Sequence, residues 1–182
     1  MGPVRLKTMR YLLLAVTFSL FAAACGSGES DARPDESPQI LAAAVHELIT
    51  ENHTFGDGPP PFTEYLIQSS LDPFAGNPTA DGGAEARQLT DEERAAVELA
   101  VEPFGPVRWI DDPRDFQTED LSPTIEGAVI IGVGEVSFDG DDALVPVSLW
   151  CGGVCGTWLT YRLTLSDAGW AVTGTEGPIA VS

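Results

Sequence analysis

Basic residues are scarce in this chain. It carries 9 Lys and Arg against 28 Asp and Glu in 182 residues, a formal charge of −19. Such a surface repels nucleic acid and anionic headgroups, so nucleic acid is excluded as a partner. Its plainest physical role is solubility through self-repulsion, although it would also attract a basic partner or divalent cations. Histidine is nearly missing: only His46 and His53 are present. Nucleophilic catalysis assisted by an imidazole base therefore has little to draw on. There is no nucleophile elbow, no zinc-binding helix and no phosphate-cradling loop, so no cofactor or metal is implied. Cysteine is limited to Cys25, Cys151 and Cys155. What remains is ordinary: 43% hydrophobic residues suffice for a core, and the length predicts one domain with a flexible extension.

The charge is unevenly spread. Three of the 9 basic residues (Arg5, Lys7, Arg10) lie in the first ten positions, whereas every acidic residue lies at Glu29 or later. Tyr11 to Ala24 is a mostly apolar run of 14 residues. It is too short to cross a bilayer core of about 30 Å, so it reads as the apolar region of an export signal. The run ends in Ala22, Ala23 and Ala24 before Cys25, followed by Gly26. That arrangement resembles a bacterial lipobox, with alanine at position 22 where leucine is usual. The resemblance implies diacylglycerol transfer to the Cys25 thiol and removal of residues 1–24. Two acyl chains are the number needed for stable membrane attachment. The remaining chain would carry 6 basic against 28 acidic residues, a charge of −22. Residues 25–37 are rich in Gly, Ser, Pro and acid and have no apolar period; they read as a tether spanning about 20 Å.

Residues 38–182 are expected to form a single domain. Ser37 and Pro38 predict a helix start. Ile40, Leu41, Ala44, Val45, Leu48 and Ile49 then mark one apolar face, running to about Asn52. His46 and His53 are expected on the opposite, solvated face, about 10 Å apart along the axis and too far for one metal. Phe62 to Gln68 is a strand candidate, and Asp72 to Gly83 is loop. Thr90 and Glu93 form a capping box at the head of a second helix ended by Pro103. Its acids, Glu92, Glu93, Glu98 and Glu102, read as a hydrated face. Val107 to Ile110 reads as a short strand. The turn after it holds Asp111, Asp112, Arg114 and Asp115, read as turn chemistry over a metal or ion-pair cluster.

Gly127 to Thr175 organises the rest as four strands in a row. Val129, Ile131 and Val133 alternate with Ile130, Gly132 and Gly134, a strand covered on both faces in its first half. Asp139 to Asp142 is a hairpin turn that lacks the spaced ligands of a calcium loop. Pro146 places its strand at an edge or a bulge. Leu159, Tyr161, Leu163 and Leu165 alternate with Trp158, Thr160, Arg162 and Thr164. Gly177-Pro178 is expected to break the last strand. Cys151 and Cys155 flank Gly152 and Gly153 at the central turn, where facing Cα atoms of a hairpin fall within disulfide range. An even pair outside the cytoplasm favours a disulfide. A thiol-redox centre spaces its cysteines differently, a zinc site wants two more ligands, and an anion nest of glycine amides fits the charge poorly.

The run from Ser148 to Leu163 (SLWCGGVCGTWLTYRL) with Gly169 to Gly177 (GWAVTGTEG) is similar to the C-terminal segment of a group of actinobacterial lipoproteins without assigned function. The segments LTDEERAA and VRWIDD fit it too. The resemblance implies a small envelope protein and no activity. The expected fold is α+β, two helices on an antiparallel β-meander sheet, which by analogy resembles NTF2-like or cystatin-like folds. The expected function is a binding or interaction module, lipid-anchored through Cys25 on the extracytoplasmic face of the cell membrane. The second expectation is a cell-envelope enzyme using acidic residues in the sheet concavity.

Overall fold

The computed structural model describes residues 35–56, 58–80 and 86–182. Cys25, the expected export signal and nearly all of the expected tether lie outside the described residues. Two helices, α1 (Ser37–Thr50) and α2 (Asp91–Val101), pack on one face of a seven-stranded sheet. The strands are β1 (Glu64–Gln68), β2 (Val107–Ile110), β3 (Ala128–Val133), β4 (Ser137–Asp139), β5 (Asp142–Gly152), β6 (Cys155–Ser166) and β7 (Gly169–Val181). They run in the order β2-β1-β3-β5-β6-β7, with β4 also on β5. The fold is α+β, with helices on a mostly antiparallel sheet.

The expected meander is the antiparallel half, β3-β5-β6-β7. The other half differs. β1 pairs in parallel with both β2 and β3. The chain between β1 and β2 crosses over through α2, and only such a long connection can return a strand in the same direction. Alternation along β1 to β6 sends Tyr65, Ile67, Val129, Ile131, Val145, Val147, Leu149, Leu159, Tyr161 and Leu163 to the helix side. There they meet the predicted apolar stripe of α1, whose six members are all fully buried. The opposite face carries a small second cluster of Leu66, Ile110, Ala128 and Ile130 beneath Phe116 and Ile125.

Three local readings change. The N-cap of α1 is Glu36, and no side chain caps it. The Ser37 hydroxyl instead donates to Glu93 Oε1 at 2.6 Å, across 56 positions of sequence. α1 also stops at Thr50, so His53 lies past its end rather than on a solvated helix face. His53 is buried, accepts from the Phe55 N–H at Nδ1 and meets the Gly58 carbonyl at 3.2 Å from Nε2. The helical wheel failed there because there is no helix left to describe. His46 remains exposed, edge-on to Phe104. Lastly, Gly177-Pro178 does not end β7. Register shifts against β6 absorb it, and an edge strand tolerates the missing donor.

Pro146 marks a bulge inside a central strand. β3 and β4 both pair with β5, but the register slips by one residue between Val133↔Val147 and Ser137↔Leu144. The Gly134 N–H extends the first register by one pair, donating to the Pro146 carbonyl at 2.8 Å, and the extra residue falls at 135–136. Beside it, two strand carbonyls accept from the loop after β1. Asp72 N–H donates to Val133 O at 2.7 Å, and Gly76 N–H to Val147 O at 3.0 Å. The loop after β1 is thus hydrogen-bonded onto the helix-free face, which is how the site below is built.

Candidate functional site

A cleft of about 690 Å³ opens on the helix-free face. Its walls come from the docked loop (Asp72, Phe74), the segment after β2 (Asp111, Asp112, Arg114) and strands β1, β3, β5 and β6 (Gln68, Ile130, Ser148, Trp150, Trp158). A volume of this size suits a small organic ligand.

The floor depends on Gly132. A Cβ there would collide with Asp72 Oδ2, Ser148 Oγ and Gln68 Nε2, so three polar side chains converge on the space a methyl group would fill. In strand β3, buried along its whole length, a glycine that yields its volume to a neighbouring loop is the sequence mark of close approach. Asp72 is 8% exposed. Its Oδ2 accepts from the Ser148 hydroxyl at 2.9 Å and its Oδ1 from the Phe74 N–H at 2.9 Å. Among the described residues no Arg or His forms an ion pair with it. A buried carboxylate in that state keeps unused acceptor capacity, since an ionised carboxylate has about four lone-pair positions.

The aromatic wall rests on a second glycine. Trp150 lies directly across from Gly156 in the β5–β6 pairing. The Trp158 ring folds over Gly156, where a Cβ would strike its six-membered edge. Both indoles are half-buried, so each keeps an open surface. Among the described residues neither indole N–H has a hydrogen-bond partner.

The rim is acidic and internally braced. Asp111 accepts from the Ser69 hydroxyl at 2.5 Å. Asp112 holds Arg114 through Nε at 2.9 Å and Nη2 at 2.6 Å, and its Oδ1 also accepts from the Arg114 N–H. Those bonds and the adjacent guanidinium hold the Asp112 carboxyl below its ordinary range. The turn reading of Asp111, Asp112 and Arg114 thus describes the local geometry, with Pro113–Phe116 as a single 3-10 turn. That the same residues line a cleft could not be read from their spacing. Asp115 is exposed beside them and is not part of the lining.

Cys151 and Cys155 are joined by a disulfide, with Cα atoms 5.1 Å apart, at the β5–β6 turn. The turn borders the cleft, because Leu121 lies over Gly152 and Gly153 and also lines the wall. The acids of α2 separate. Glu92, Glu98 and Glu102 are exposed, as expected of a hydrated face. Glu93 is instead 2% exposed and bound twice by Arg87, with Nη1 to Oε2 and Nη2 to Oε1 both at 2.8 Å. The Asp139–Asp142 turn is likewise tied down, by Arg162 to Asp139, Asp142 and Glu176. Neither histidine lines the cleft. Among the described residues no cluster of three or more His, Cys, Asp or Glu is placed to hold a metal.

No family model, no curated protein and no solved structure matches the chain.

Proposed function

We propose that this chain is a membrane-tethered extracytoplasmic binding module whose ligand occupies the cleft over Gly132. One observation carries the reading: two half-buried indoles, Trp150 and Trp158, and a buried, hydrogen-bonded carboxylate, Asp72, line one cavity of about 690 Å³. Exposed aromatic faces beside a few fixed polar groups are what small-ligand sites share. The tether rests on the residue pattern from Tyr11 to Cys25. A Cys151–Cys155 disulfide is at home in an oxidising compartment, which supports the same address. Among the described residues no helix is long and apolar enough to cross a membrane, and the attachment we propose is through the thiol of Cys25.

The enzyme reading has one observation in its favour, since Asp72 and Asp111 both line the cleft. Against it, Asp72 is engaged by Ser148 and Phe74, and Ser148 Oγ has no imidazole beside it to take its proton. The module reading is tested by fractionating cells that express wild type and Cys25→Ala, and by following the indole resonances of purified protein during ligand titrations. Membrane retention of Cys25→Ala overturns the tether; a cleft silent to every class of small ligand overturns the module.

A further inference from the structure

We propose that the cleft is built for a small organic cation, with Asp72 as its counter-charge and the indoles of Trp150 and Trp158 as the faces on which it rests. The inference deepens the binding reading and depends on it. Three observations lead to it. The charge inside the cleft is one-signed. The ionisable groups that line it are Asp72, Asp111, Asp112 and Arg114. Asp112 and Arg114 neutralise each other at the rim, which leaves Asp72 and Asp111 without a cation among the described residues. Asp72 is the buried one, and a buried carboxylate without a counter-ion is costly unless something supplies the charge.

Two indoles line the same cleft, on the strand pair that carries Ser148, the partner of Asp72. Indole is the best of the side-chain rings at attracting a cation over its face, and desolvation strengthens the attraction. Trp158 is laid over Gly156 with its neighbour Trp150 across the strand pair, so two indoles border one space. A bare metal ion has no use for such a wall and prefers a cage of oxygens. An ammonium carrying carbon substituents uses both the wall and the carboxylate. An anion is opposed by the cleft and by the charge of the whole chain, which raises the local concentration of cations.

Simple probes test this without the natural ligand in hand. Choline and 3,3-dimethylbutan-1-ol have nearly the same shape and differ by one positive charge. Putrescine adds a primary diammonium, and maltotetraose and methyl phosphate represent neutral and anionic ligands. Each is titrated into the full chain, with calorimetry for affinity and indole N–H resonances for location. The expected result is that choline or putrescine binds at the cleft, at least tenfold more tightly than the neutral alcohol. Asp72→Asn should weaken the cation at least tenfold and Trp150→Leu at least fivefold, with little change for the alcohol. Equal binding of choline and the alcohol overturns the proposal, as does cation binding indifferent to Asp72→Asn. Binding of maltotetraose or methyl phosphate at the cleft without either cation also overturns it, while leaving the cleft a ligand site. If none of the five probes moves the Trp150 and Trp158 resonances, both readings fall. The choline–alcohol comparison uses wild type alone, so it decides the matter even if Asp72→Asn does not fold.

Discussion

Replacing Glu93 by glutamine removes one charge from the junction of α1, α2 and the segment before α2. In the native protein the Glu93 carboxylate takes both Nη groups of Arg87, the Ser37 hydroxyl and the Thr90 N–H. Burial alone would raise its pKa, but those hydrogen bonds and the guanidinium charge outweigh burial and hold it at about 2, against an ordinary 4.5. At about 1.4 kcal/mol per tenfold in proton affinity, the ceiling on the stabilisation is about 3 kcal/mol. Arg87 is 40% exposed, so water screens part of the interaction, and about 1–2 kcal/mol is the working figure. The carboxyl binds protons less tightly folded than unfolded. Its contribution is therefore complete above about pH 5 and drains away as the pH falls toward 2. Glutamine keeps an acceptor for the capping box but cannot pair with Arg87. Thermal unfolding followed by circular dichroism should place Glu93→Gln about 2–8 °C below wild type at pH 7 and at pH 5, using roughly 2–4 °C per kcal/mol for a domain of this size. The gap should shrink to less than half by pH 3. An equal Tm at pH 7, or a gap that is the same at pH 7 and pH 3, would refute the reasoning.

Other consequences rest on the same geometry. Cys151→Ser with Cys155→Ser should lower stability by about 2 kcal/mol on the chain-entropy account of so short a loop, read as a urea midpoint shift; an unchanged midpoint would mean the disulfide does not staple the turn. Gly132→Ala inserts a methyl group among Asp72, Ser148 and Gln68. It should cost about 1–3 kcal/mol, as overpacking does, and abolish binding at the cleft, whereas unaltered stability would deny the close approach of loop and strand. Gly156→Ala should displace the Trp158 ring, seen as a shifted indole resonance with secondary structure intact. Cys25→Ala should move the protein from the membrane fraction to the soluble one.

Much of the architecture was legible because it is local. The capping box of Thr90 and Glu93 is present as read, as are the apolar stripe of α1, the Gly140–Asp141 turn and the alternation of β6. Long-range partnerships were not. Nothing near Glu93 in sequence announces Ser37, and a buried acid looks like an exposed one until its arginine is found. The parallel pairings of β1 escaped for the same reason, since they depend on where a crossover lands. The cleft was half visible. Gly132 and Gly134 interrupt a buried strand opposite Pro146, and together they signal that another segment lies against the sheet at a bulge. Read with the loop that begins at Asp72, they could have pointed to its docking. The turn residues Asp111 and Asp112 satisfied their local geometry so fully that no local signal of a second role remained.

The central claim is that the helix-free face holds the binding site, and 5-fluorotryptophan tests it most directly. The four tryptophans divide evenly. Trp150 and Trp158 line the cleft, whereas Trp109 donates its indole N–H to Glu98 and Trp170 packs against Phe138. With choline or putrescine added to labelled protein, the account predicts that the fluorine signals of Trp150 and Trp158 shift together while those of Trp109 and Trp170 stay fixed. Shifts confined to Trp109 or Trp170, with the cleft pair unmoved, would contradict it.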